Sequence, residues 1–157
     1  MTEKEIKIDF QEYKSIEELN QEDKELAQAA ISAMQGSYAP YSHFNVGAAV
    51  HMENGVIVKG ANQENAAFPS GLCAERTAMF AAGAAYPDKA MTSIALTGGV
   101  MGRICATPAT PCGACRQVMA QYQAKSGKKM SVIMIGKDKI WKFHSVDDIL
   151  PLIFDSI

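Results

Sequence analysis

The chain reads as an α/β domain in three layers, with helices covering both faces of a sheet. Three observations predict this. Apolar runs of strand length alternate with helix-period segments. Short turns rich in Gly, Pro and Asn separate them. With 157 residues, 48% hydrophobic and 20% charged, the chain can bury one core without disulfide staples.

Taken in order, residues 4–13 alternate, with Ile6, Ile8 and Phe10 on one side, which predicts a short strand or an extended arm. Ser15 to Glu18 has the spacing of a capping box. Asn20 is a second candidate cap, ahead of Glu22 and Asp23, whose charges suit a helix N-terminus. Leu26, Ala29, Ala30, Ala33 and Met34 recur at three and four, so an amphipathic helix is expected over 21–34, ending at Gly36. After the turn-rich Tyr38-Ala39-Pro40-Tyr41-Ser42, an apolar run from Phe44 to Val50, the turn Glu53-Asn54-Gly55 and Val56-Ile57-Val58 predict a β-hairpin.

The polar cluster Asn62-Gln63-Glu64-Asn65 closes the hairpin, where ligand contacts tend to gather. Residues 73–85 are rich in alanine and helix-forming, with Pro87 just beyond. Thr92 to Thr97 reads as a strand broken by Gly98-Gly99, and Gly113 to Ala124 as a helix. Met130 to Ile135 reads as a buried strand, and Lys139 to Phe143 as another after the Gly136-Lys137-Asp138 turn. Ser145, Asp147 and Asp148 start a short terminal helix towards Leu150. No repeat or linker appears. The expected organisation is an extension over 1–20 and one domain over 21–157.

The formal net charge of −2 and a pI near 5.9 leave no basic footprint for nucleic acid. No apolar run of about 18 residues and no signal-peptide h-region is present, so neither a membrane span nor secretion is expected, and the cytoplasm is the predicted compartment. In that setting four cysteines at motif spacing read as metal-binding or catalytic rather than disulfide-forming.

Cys73-Ala74-Glu75-Arg76 and Pro111-Cys112-Gly113-Ala114-Cys115 carry the chemistry. Cys112 and Cys115, at C-x-x-C spacing on the mouth of a helix, supply two soft thiolates to a zinc ion. Cys73 supplies a third, leaving the fourth position open for water, as catalytic rather than structural zinc requires. Glu75, two residues after Cys73, can face that position without ligating. A Cys-x-Glu followed by Pro-Cys-x-x-Cys is the signature of zinc-dependent base deaminases.

Three thiolates on a divalent ion leave a net negative charge, which hinders deprotonation of a bound water. Arg76 and Arg116, each directly after a site residue, are the candidates to hydrogen-bond the sulfurs and offset it. Glu75, shielded from solvent, is expected to cycle between base and acid in a hydrolytic deamination. Cys105, in the loop before Pro111, is either a fourth ligand that would close the site or a small buried apolar residue. His43, His51 and His144 lack ligand spacing.

Four segments together resemble the short-chain cytidine deaminases. They are 38–49 (Tyr-Ala-Pro-Tyr-Ser-His-Phe-Asn-Val-Gly-Ala-Ala), 62–68 (Asn-Gln-Glu-Asn-Ala-Ala-Phe), 73–78 (Cys-Ala-Glu-Arg-Thr-Ala) and 111–118 (Pro-Cys-Gly-Ala-Cys-Arg-Gln-Val). The resemblance spans roughly residues 23–154. It implies a three-layer α/β/α fold around a mixed five-stranded sheet, and hydrolysis of cytidine and deoxycytidine to uridine and deoxyuridine in pyrimidine salvage. It further implies a homotetramer with one zinc per subunit. By position it makes Cys73, Cys112 and Cys115 the ligands and Glu75 the proton shuttle. Asn62 and Glu64 become the ribose-hydroxyl binders, Phe44 the base-packing aromatic and Ala74 a backbone contact to the base. Phe154 becomes the aromatic that reaches a neighbouring subunit's pocket.

Residues 1–20 lie outside the resemblance, as an extra strand or interface arm. Three other readings stay open. A deaminase of a nucleoside-like antibiotic such as blasticidin S shares the zinc motifs, but the Asn62 and Glu64 pair favours a free ribose. An RNA- or DNA-editing deaminase conflicts with the acidic balance. A zinc-stabilised interaction module would not need Glu75.

Overall fold

A computed structural model describes residues 1–155. Asn20 caps the first helix, α1 (Gln21–Ala33), by accepting the Asp23 N–H at 2.9 Å. The capping box expected at Ser15 does not form, because only one 3-10 turn (Ile16–Glu18) follows it. Glu18 accepts the Lys14 N–H instead, at 2.8 Å. The hairpin is present as β2 (Phe44–Met52) and β3 (Ile57–Ala61), joined through Gly55 at φ 84°.

Then come α2 (Ala74–Ala85), β4 (Met91–Val100), α3 (Gly113–Ser126), β5 (Ser131–Ile135) and β6 (Ile140–Phe143). A single 3-10 turn, Val146–Asp148, stands where the short terminal helix was expected, with the Ser145 capping box in place. β4 runs three residues beyond the expected break, because Gly98 and Gly99 stay paired with Val46 and Asn45 of β2. A side chain at Gly98 would press on the Phe44 ring at 2.9 Å, so glycine there gives that ring its place.

The sheet has six strands rather than five. The added strand, β1 (Gln11–Tyr13), pairs antiparallel with β6 in the order β1-β6-β5-β4-β2-β3. Its brevity hides it: only three of the ten alternating residues pair, while Trp141 fixes it by donating to Glu12 at 2.8 Å.

Period-two alternation sorts the core into two layers. Ala48, Val50, Ile94, Leu96, Val132 and Met134 face α2 and α3, whereas Ala49, Ala95, Ile133 and Ile135 face α1. Lys142 of β6 forms an ion pair with the buried Asp23, tying the sheet to α1.

Strand direction decides where the functional residues meet. β3 and β4 are both antiparallel to β2, and β5 is parallel to β4, so β3, β4 and β5 share one direction. α2 follows β3 and α3 follows β4, so both helices begin at the same end of the sheet.

α2 lies close on β3 because Gly60 carries no side chain: a Cβ there would sit 2.4 Å from the Ala78 nitrogen and 2.6 Å from the Ala74 carbonyl oxygen. Gly60→Ala is expected to destabilise the fold by about 2–3 kcal/mol, measured by urea unfolding, because both obstacles are backbone atoms that cannot rotate away.

Candidate functional site

Cys73 and Cys112 occupy the N-cap positions of α2 and α3, and neither side chain caps its helix, so both sulfurs are available. Cys115, fully buried, is the third residue of α3. The three sulfurs converge within 4.8 Å of one another. Cys73 Sγ lies 3.8 Å from Cys112 Sγ, which lies 3.5 Å from Cys115 Sγ. A tetrahedral zinc with bonds of about 2.3 Å requires sulfur–sulfur edges of about 3.8 Å, so the donor set fits zinc in both chemistry and spacing.

The thiols of Cys73 and Cys115 are shifted in opposite directions. The Cys115 thiol hydrogen bond, aided by the Arg76 guanidinium, holds Cys73 down to about 5. Cys115 is pushed far up by the same contact with Cys73 and by burial. Cys73 also stands at the N-terminus of α2, whose dipole favours thiolate. Arg76 donates from Nη2 to Cys73 Sγ at 3.6 Å, and its buried Nε has no partner among the described residues.

Arg116 departs from expectation. It donates to the Pro111 and Ile149 carbonyls, each at 2.9 Å, and so braces the loop that carries Cys112 rather than any sulfur. Its guanidinium finds carbonyls left open at the start of α3 and at the C-terminal turn. Gln117, the next residue, grips Phe154 from both sides, donating to its carbonyl at 2.8 Å and accepting its N–H at 3.4 Å.

A cavity of about 670 Å³ opens over the thiols, lined among others by Phe44, Asn62, Glu64, Glu75, Cys73 and Cys112. Glu75 is 4% exposed, and burial pushes its carboxyl above the usual carboxylate range. Ala74 is fully buried at the first position of α2. Asn62 accepts the Val46 N–H and donates to the Phe44 carbonyl, both at 2.8 Å, so its amide fixes the start of β2 while one N–H remains for a ligand.

Glu64 accepts from the Tyr41 and Ser42 backbone N–H groups at 2.9 and 3.2 Å and from the Ser42 hydroxyl. The Ser42 hydroxyl above all holds its carboxyl below the usual range. Phe154 lies outside the cavity and is 69% exposed.

Other residues emerged only in three dimensions. Ser42 grips Glu64, and Tyr41 and Phe68 meet edge-on at the mouth with centroids 5.7 Å apart. The turn-rich composition of 38–42 marked a loop there, but nothing local in sequence aims it at Glu64, 22 residues away. Cys105 is absent from the thiol group; its backbone joins Gly98 and Lys137. His51 contacts Thr92 at 3.1 Å and Glu22 at 3.0 Å, away from the thiols.

Cys73→Ser is expected to lose zinc to a chelator that leaves the parent protein loaded, whereas Cys105→Ser retains it, both read by elemental analysis after desalting.

Comparison with known proteins agrees with this geometry. Residues 20–130 match the family described as the cytidine and deoxycytidylate deaminase zinc-binding region. A cytidine deaminase of Halalkalibacterium halodurans is 45% identical over 98 residues, 61% of this chain and 68% of that protein. A probable cytidine deaminase of Dictyostelium discoideum is 32% identical over 137 residues, 87% of this chain and 86% of that protein. The crystal structure of cytidine deaminase from Burkholderia pseudomallei superposes with a TM-score of 0.70 at 37% identity, covering 83% of this chain and 97% of that one. The chain therefore belongs to the cytidine and deoxycytidylate deaminase family and is an enzyme of the hydrolase class.

Proposed function

We propose that the protein hydrolyses cytidine and deoxycytidine to uridine and deoxyuridine plus ammonia, in pyrimidine salvage, with one zinc per subunit held by Cys73, Cys112 and Cys115. The observation that carries this reading is a buried Glu75 lining the same cavity as Cys73 and Cys112, whose sulfurs converge with that of Cys115. Residues 21–157 form the catalytic domain and residues 1–20 an extension.

Cys73, Cys112 and Cys115 would hold a zinc ion, which would supply the Lewis acidity that brings the pKa of a water towards neutrality. Glu75 would take a proton from a water as the water oxygen bonds to C4 of the base, and would deliver it to ring nitrogen N3. The proton of the new C4 hydroxyl would then pass through Glu75 to the exocyclic amine, so that C4=O forms as the C4–N4 bond breaks and ammonia leaves. Burial suits Glu75 to both directions of transfer by raising its proton affinity. Arg76 offsets the charge of the thiolates through its contact with Cys73.

Phe44 packs against the base in the space that Gly98 leaves, and the Ala74 backbone helps hold the base edge. The remaining Asn62 N–H and the Glu64 carboxylate bind ribose hydroxyls. Ser42 and the backbone at Tyr41 aim that carboxylate across the pocket. The exposure of Phe154, with its backbone gripped by Gln117, supports a homotetramer in which this ring enters a neighbour's pocket. Among the described residues, no helix is long and apolar enough to cross a membrane. The substrate is a free nucleoside rather than nucleic acid, and a reducing cytoplasm would keep the thiols available.

Loss of the cytosine absorbance band on incubation with cytidine tests the reading. Glu75→Gln is expected to lower kcat at least about 100-fold while keeping its zinc, since only proton transfer is removed. A turnover within a few-fold of the parent would contradict the assignment. Glu64→Gln is expected to raise KM by about 10-fold, with kcat little changed, because a charge-assisted contact to a non-reacting hydroxyl is weakened.

A further inference from the structure

The N-terminal arm lies outside the matched region, which begins at residue 20. Residues 1–10 adopt no helix or strand, and they lead directly into β1, the terminal strand of the sheet. β6 pairs with one side of β1, and among the described residues no strand pairs with the other.

Ile6, Ile8 and Phe10 alternate with Lys7 and Asp9, the pattern of a half-buried strand. Yet these apolar residues are 57%, 47% and 48% exposed. Phe10 anchors the end of the arm, stacked on Phe143 at 5.0 Å and edge-on to Trp141 at 5.8 Å. The register Gln11–Lys142 sets Phe10 beside Phe143, so Ile8 and Ile6 run on past the end of β6 with their apolar side uncovered. A chain with alternating faces, open backbone groups and an anchored root is a template for strand addition.

We infer that this arm pairs with the same arm of a second copy of the chain, antiparallel and centred on Ile8. The sequence is self-complementary in that register. Ile8 faces Ile8, Ile6 faces Phe10, and Lys7 faces Asp9 twice, once on each side of the twofold axis. Ile6 of one copy then covers the exposed half of Phe10 of the other, extending the Phe143–Trp141 cluster across the junction. The same-chain contact of Lys7 with Asp9, at 3.8 Å between side chains 77% and 80% exposed, leaves both charges open to the opposite strand. Shifting the pairing by one residue would turn the apolar side of one arm against the charged side of the other, so the register is specified.

The test uses two single variants of the full chain, Lys7→Asp and Asp9→Lys, with mass followed by sedimentation across a range of concentrations. Each variant places like charges opposite each other in the self-pair, and each is expected to weaken the arm-dependent association at least about 10-fold. Mixed in equal amounts they are complementary again, so the mixture should regain the parent's association. Either variant associating like the parent, or a mixture no heavier than its components, overturns the proposal. Zinc content and cytidine turnover, expected to be unchanged in both, report that the core remains folded and keep this outcome separate from that of the functional reading.

Discussion

The shared direction of β3, β4 and β5 is the constraint on which the site depends. Each of α2 and α3 must begin where its preceding strand ends, so a common strand direction brings both helix N-termini to one end of the sheet. The N-cap cysteines of the two helices then face each other, and Cys115 joins them from the first turn of α3. The 3.5 Å between the Cys112 and Cys115 sulfurs is set within the first turn of α3, and the 3.8 Å between those of Cys73 and Cys112 by how the two helix starts come together. Gly60 makes the close approach of α2 to β3 possible. The positive ends of the two helix dipoles add a field that favours thiolate over thiol.

Two opposed electrostatic shifts meet in this small volume. Burial raises the proton affinity of Glu75 by penalising its charged carboxylate. The Ser42 hydroxyl, with the Tyr41 and Ser42 backbone N–H groups, lowers that of Glu64 near the solvent. Two glutamates eleven residues apart are thereby tuned in opposite directions by the elements that carry them. The first lies in a helix packed on the core, the second in a loop folded over the cavity mouth. Asn62 links the cavity wall to the backbone at Phe44 and Val46, so the start of β2 and the polar wall are tied by one amide.

The helices, the hairpin and the thiol cluster were legible in the sequence because each rests on short-range patterns. Examples are the spacing from Leu26 to Met34, the Asn54-Gly55 turn, and cysteines at helix starts. The extent of β4 was not, because Gly98 and Gly99 read locally as a break and are held in the strand by pairing with β2. β1 was similarly hidden: its partner β6 is more than a hundred residues away, and only three of its residues pair. Arg116 sits beside Cys115 in sequence, but its helical direction turns it to the Pro111 and Ile149 carbonyls. Arg76, one turn after Cys73, does reach the sulfur. Sequence adjacency ranked the two arginines equally, and helix geometry separated them.

The central claim is that three thiolates from two helix N-termini hold a zinc ion whose fourth position stays open. Zinc K-edge X-ray absorption on the purified protein tests it most directly. The account predicts three sulfur neighbours at about 2.3 Å and one light oxygen or nitrogen neighbour at about 2.0 Å. Four sulfurs would mean a closed, structural centre, and would contradict both the open position and the role given to Glu75.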